Sequence, residues 1–206
     1  MELLGERWTL LILRELMLGP RRFGAIRAEL PGISANVLTQ RLESLTTAGL
    51  VRKRTLPPPA SAQVYELTSW GYEAEPIIQT IGRWAARSPR HDSTLSFSAA
   101  SLILSMRTMF SPAVADGADV RLGFRLGSES VEVVIADGQL TFRRAEEFPG
   151  ADLVFTGEPR MLAAFIYGDQ PLSDLESAGL LRVEGDRGLA ERLPGWFPLP
   201  PKAEAA

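Results

Sequence analysis

Cysteine is absent from the 206 residues, and histidine occurs once, at His91. The first absence excludes disulfides, thiol redox switching and zinc sites built on thiolates. The second leaves almost no material for a metal cluster or for histidine-based nucleophilic chemistry. Neither metal nor cofactor is expected. No apolar run approaches the roughly 18 residues of a membrane span. Glu2, Glu6 and Arg7 interrupt the start, which does not read as a secretory signal. A soluble, cytoplasmic chain is the expectation. No nucleophile–base pair and no phosphate-binding loop is visible, so no enzyme is expected.

What is present is a globular composition, with 45% hydrophobic and 23% charged residues. The length suits two small domains or one large one. The net charge of -3 is unevenly spread. Residues 1–90 carry 12 Lys and Arg against 8 Asp and Glu, or +4, and residues 91–206 carry 10 against 17, or -7. A basic part beside an acidic one fits a chain in which one part meets a polyanion. Chance imbalance is the plainer reading.

Periodicity divides the chain. Trp8, Leu11, Ile12 and Leu16 recur on one helical face, which Gly19-Pro20 stops. Phe23, Ile26 and Leu30 mark a short second helix ending at Pro31-Gly32. Ser34 suits the N-cap of a third, with Leu38, Leu42 and Leu45 inward and Gly49 closing it. Strand-like runs over 50–56 and 64–68 flank a proline-rich loop. Thr68 can cap a long helix with Ala74, Ile77, Ile78, Ile81, Trp84 and Ala85 on one face, kinked at Pro76. Residues 89–95 read as a linker. Beyond it come an apolar helix from Leu102 to Phe110, strands over 120–126 and 131–135, an Asp137-Gly138 hairpin turn and a strand through Leu140 and Phe142. A further strand follows at 153–155, then a helix from Pro159 to Gly168. A strand from Leu180 to Val183 and a short helix complete the domain over 96–197. Residues 198–206 read as a disordered tail. The whole is α+β.

Three helices, two strands and a loop are the parts of a winged helix over residues 1–88. The third helix turns Asn36, Thr39 and Gln40 away from its core side. Amide side chains can pair with adenine, and threonine can donate or accept. Arg21 and Arg22 precede the second helix, Arg27 lies on it, and Arg41 lies on the third. These arginines suit phosphates. Arg52, Lys53 and Arg54 enter the loop as a basic wing. The DNA-contact set is therefore Arg21, Arg22, Arg27, Ser34, Asn36, Thr39, Gln40, Arg41, Arg52, Lys53 and Arg54. Each feature alone has a plainer reading, a solvated helix face or an ordinary charged edge strand. Their combination in this order favours double-stranded DNA.

The motifs resemble the HxlR family of winged-helix regulators. Gly5-Glu6-Arg7-Trp8-Thr9-Leu10-Leu11-Ile12-Leu13-Arg14-Glu15-Leu16 is similar to its opening helix, and Gly19-Pro20-Arg21-Arg22-Phe23 to its next loop. Ile33-Ser34 through Leu42, with Leu45 and Gly49-Leu50-Val51, resembles its recognition helix. Tyr65-Glu66-Leu67-Thr68, Gly71 and Trp84 resemble its later strand, helix start and terminal aromatic. The resemblance implies a homodimer on a two-fold-related operator, joined through the terminal helices. Many relatives carry a sensing cysteine before the first helix. This chain has none, and the short stretch before its first helix is expected to weaken the dimer.

Residues 96–197 resemble the sterol-carrier-protein-like fold, with a mostly antiparallel sheet. The supporting residues are Asp137-Gly138, Ala151 to Pro159 and Leu180 to Gly185. That resemblance implies an apolar tunnel, lined here by Phe124, Phe142, Phe155, Met161, Phe165, Ile166 and Leu180. All seven also suit an ordinary core. The expected function is a sequence-specific DNA-binding regulator, dimeric and controlled by a small apolar ligand. The alternative is an apolar-ligand carrier or protein-interaction module without sequence-specific DNA binding. Asp152, Glu146 and Glu147 are carboxylates near the expected tunnel.

Overall fold

The computed structural model describes residues 4–58, 61–90, 92 and 95–204. His91, Ser93 and Thr94 of the linker, and Pro59 and Ala60 of the proline-rich loop, lie outside the described residues. The chain divides into two compact units, residues 1–81 and 82–206.

The first unit contains α1 (Thr9–Leu16), α2 (Phe23–Ala28), α3 (Ala35–Thr47), β1 (Val51–Thr55), β2 (Gln63–Leu67) and α4 (Ser69–Tyr72). The unit boundary falls inside α5 (Glu75–Ala86). Strands β1 and β2 pair antiparallel, from Val51 opposite Leu67 to Thr55 opposite Gln63. Leu38, Leu42 and Leu45 are buried on α3, as their spacing predicts. The Ser34 hydroxyl caps α3 by accepting from the Val37 N–H at 3.2 Å. Thr68 caps α4, accepting from the Gly71 N–H at 3.0 Å while its hydroxyl donates to the Gly49 carbonyl at 2.7 Å. Position 71 requires glycine. A Cβ there would stand 2.1 Å from the Leu50 carbonyl oxygen.

Two expectations are corrected here. In α1 the buried side is Thr9, Ile12, Leu13, Glu15 and Leu16, whereas Leu11 is exposed and Trp8 precedes the helix. The buried face is turned from the predicted one toward Thr9 and Leu13, while Glu15, seven residues on from Trp8, lies on both with its charge paired. The long kinked helix is instead two helices, α4 and α5, separated at Glu73 and Ala74. Pro76 lies in the first turn of α5, where its missing N–H costs no intrahelical bond. No residue of α5 is buried, although Ile77, Ile78, Ile81 and Trp84 lie along it.

The second unit contains α6 (Ala99–Met109), α7 (Pro112–Ala115), β3 (Val120–Leu126), β4 (Glu129–Ala136), β5 (Gln139–Arg144), β6 (Leu153–Gly157), α8 (Pro159–Tyr167), α9 (Leu172–Ser177), β7 (Leu181–Gly185), α10 (Arg187–Arg192) and a 3-10 turn over Leu193–Trp196. The sheet order is β5-β4-β3-β6-β7. It is mixed, not mostly antiparallel as expected. β6 lies parallel to β3 at its centre, because the chain leaves β5 at one edge and returns beside β3 running the same way. Residues 145–152 are therefore a crossover, and no tight hairpin signal marks them.

One sheet face is apolar, with Leu122, Phe124, Val131, Val133, Ile135, Leu153 and Phe155 buried. Helices α6 and α8 pack on the sheet and on each other. A hydrogen bond from Ser105 to the Tyr167 hydroxyl, 3.0 Å, joins the two helices. Burial holds the pKa of that phenol well above its ordinary value. The C-terminal segment, expected to be disordered, is tied to the end of α5. Lys202 Nζ donates to the carbonyls of Ala86 and Ser88, and the Ala203 N–H donates to Arg87.

Candidate nucleic-acid interface

Helix α3 positions the proposed reading residues. Burying Leu38, Leu42 and Leu45 leaves Asn36, Thr39, Gln40 and Glu43 exposed on the opposite side. A shallow depression beside them is lined by Gln40, Arg41, Glu43, Ser44, Thr47 and Ala48. Ser34 is exposed, and its hydroxyl serves the cap already described. Arg41 is half-buried and pairs with Glu6 at 2.7 Å. Glu6 precedes Trp8, whose φ of 78° is a left-handed conformation unusual for a bulky residue, and the Arg7 guanidinium lies 5.1 Å from the Trp8 ring centre.

The arginines expected at phosphates separate into two groups. Arg22 and Arg27 are exposed. Arg21 is only 3% exposed and donates to the Glu15 carboxylate at 3.1 Å. Its backbone pairs with Tyr65, extending the small sheet by one bridge. Glu15 also accepts from Arg14 at 2.9 Å and 3.0 Å. Arg21 thus belongs to an internal ion pair and not to the outward surface. The dipeptide Arg21-Arg22 carries no sign of that division, because neighbouring residues of the same type can point in opposite directions.

The wing presents Arg52, Lys53 and Arg54, all exposed. Alternation along β1 sends Arg52 and Arg54 to one face and Lys53 to the other. Lys53 Nζ lies 5.8 Å from the Tyr65 ring centre. Arg52 and Arg54 both meet Glu66, which residue-by-residue reading did not single out. Strand pairing was the available signal, since an antiparallel register that places Glu66 opposite Arg52 also places it diagonal to Arg54.

In the second unit, Phe124, Phe155, Phe165 and Ile166 are buried, and Phe142 and Met161 are half-buried. The Phe155 ring stacks on Phe124 at 5.7 Å and meets Phe165 at 5.9 Å. The Arg107 guanidinium lies 5.3 Å from the Phe142 ring centre. Leu180 is exposed and does not join them, since β7 begins at Leu181, whose side chain is the buried one. Asp152 accepts from the Arg121 N–H at 2.8 Å, a strand tie, while Glu146 and Glu147 are exposed in the crossover.

A capped helix with an open polar side, followed by a hairpin with a basic strand, defines a winged helix-turn-helix, a class of DNA-binding protein. The chain belongs to the HxlR-like helix-turn-helix family, whose model matches residues 3–93. It is 37% identical over 84 residues to the uncharacterized HTH-type transcriptional regulator YvaP of Bacillus subtilis, covering 41% of this chain and 78% of YvaP. The HTH-type transcriptional regulator YodB of the same organism is 37% identical over 83 residues, 40% of this chain and 74% of YodB. The uncharacterized regulator Rv3095 of Mycobacterium tuberculosis is 39% identical over 84 residues, 41% of this chain and 52% of its own length. The solved reduced form of YodB is 35% identical, covers 44% of this chain and 90% of that one, and gives a TM-score of 0.40. The chain is a DNA-binding transcription regulator of the helix-turn-helix type.

Proposed function

We propose that the chain reads a specific operator as a homodimer, with α3 in the major groove and the wing on the adjacent backbone. The observation that carries this reading is the exposed row of Asn36, Thr39 and Gln40 on a helix whose other side is fixed in the core. Arg22, Arg27, Arg52, Lys53 and Arg54 supply the phosphate contacts, with Arg41 at the edge. Arg21 acts from inside, holding the loop before α2. Dimerisation is supported by the uncovered apolar side of α5, where Ile77, Ile81 and Trp84 are all exposed, Trp84 by 75%. Two copies of α3 would then stand about 34 Å apart, one turn of the duplex. Such a protein works in the cytoplasm. Footprinting on the DNA upstream of its own gene tests the reading. A protected two-fold site supports it, and equal affinity for random duplexes at physiological salt counts against it.

The second unit is the ligand-responsive part in this reading, a sterol-carrier-like domain with its apolar sheet face under α6 and α8. Phe142, Met161, Phe165 and Ile166 border the space a ligand would open, and Phe124 and Phe155 form its floor. Support comes from the element order and from the clustering of aromatic rings on one face. YodB has a structure described as quinone-bound; this chain has no cysteine. Native mass spectrometry of the purified chain tests the ligand. A bound apolar molecule that shifts operator affinity supports control, whereas no bound mass and no shift with added fatty acid reduces the unit to a dimerisation or interaction module.

A further inference from the structure

We infer that Glu66 is a positioning residue for DNA binding, holding Arg52 and Arg54 as one fixed pair for the phosphate backbone. The inference rests on the winged-helix reading and adds to it a residue of the wrong charge for a polyanion. Glu66 Oε1 accepts from Arg52 Nε at 2.6 Å, and Glu66 Oε2 meets an Arg54 terminal nitrogen at 3.0 Å. The carboxylate is 8% exposed, while the arginines are 65% and 47% exposed. Burying a carboxylate at that depth is costly unless cations satisfy it. Here each of its oxygens has one. The two guanidiniums meanwhile remain at the surface, and each has five donors, most of them outside these bonds.

The arrangement has a cost and a gain of opposite sign. Counted as charge, Arg52, Arg54 and Glu66 sum to +1 where the arginines alone would give +2, so Glu66 should weaken attraction to DNA. Counted as order, two long side chains that would otherwise sample many rotamers are held at adjacent positions before the duplex arrives. The ordering penalty of binding is thereby reduced. Arg52 uses its inner Nε, which keeps its terminal amino groups for a second acceptor. A phosphate is such an acceptor, since its oxygens accept the same planar fork that a carboxylate does.

The two accounts predict opposite results for Glu66→Gln, which keeps the shape and removes the charge. The probe is a duplex enriched from a random pool by the full-length wild-type chain, with affinity measured across salt concentrations. Positioning predicts an affinity loss of about 10-fold in E66Q, and no further loss when E66Q is added to an R52A/R54A background. Tighter or unchanged binding by E66Q overturns the inference. So does an equal loss in the two backgrounds, which marks a general structural effect. Should E66Q fail to fold, E66D carries the test. It keeps the charge but is too short to hold both guanidiniums, so weaker binding supports positioning and wild-type binding overturns it. If the wild-type chain enriches no duplex at all, the DNA reading itself fails and this inference fails with it.

Discussion

Glu15 and Glu66 lie in the same unit, and each holds two arginines, yet the two clusters come out differently. Around Glu15, Arg21 is as deep as the carboxylate and Arg14 is only partly exposed. Around Glu66, both arginines stay at the surface. A buried carboxylate recruits cations in either case, because an uncompensated buried charge is costly. What differs is where the recruited cations end. At Glu15 they close an internal joint between α1, the following loop and β2. At Glu66 they remain available to a third party. Arginine content alone therefore overstates the basic surface of this protein, and the depth of each guanidinium decides its use.

The largest effect that would break this contrast concerns Arg21. Arg21→Ala leaves Glu15 short of a buried partner and should lower the stability of the first unit by about 3–5 kcal/mol, read by denaturant unfolding. A melt like that of the wild type would place Arg21 with the surface arginines after all. Next in size are Asn36→Ala and Gln40→Ala. If either residue pairs with a base, its loss costs about 1–3 kcal/mol of discrimination, measurable by titrating matched and mismatched duplexes, with stability unchanged. Ser34→Ala removes the α3 cap and should cost about 1 kcal/mol of stability; a larger drop in DNA affinity than in stability would give its hydroxyl a contact role as well. Arg52→Ala removes a surface arginine but leaves Arg54 on the Glu66 carboxylate, so its stability cost should fall well below that of Arg21→Ala. Its signature is a salt dependence of binding reduced by about one unit of slope. Destabilisation by Arg52→Ala matching that of Arg21→Ala would erase the distinction.

Much of the first unit was legible in the sequence. Leu38, Leu42 and Leu45 fixed the orientation of α3, and Ser34 and Thr68 announced their caps, because these features depend on spacing along one chain segment. What could not be seen depends on partners brought together by folding. Glu15 falls on the apolar face of α1, seven residues on from Trp8 and four from Leu11, and it is the pairing with Arg14 and Arg21 that lets a charge stay buried there. Glu66 stood in view within Tyr65-Glu66-Leu67-Thr68, but its role needs the register that places it across from Arg52. Pro76 was visible too; a helix broken just before it and a helix kinked at it give nearly the same apolar pattern. In the second unit, strand alternation marked Phe124 and Phe155 as inward. The parallel placement of β6 escaped, since nothing local in residues 145–152 tells a hairpin from a crossover. Leu180 was misplaced by a single residue, enough in a strand to reverse a side chain.

The Leu50 carbonyl accepts from the Thr68 N–H at 3.0 Å and leaves no room for a methyl group at position 71. In a saturation library selected for a working regulator, that column should collapse to a single letter, while exposed Trp70 and Tyr72 on either side tolerate exchange. Alanine, ordinarily the mildest replacement in a helix, would be excluded there as firmly as tryptophan.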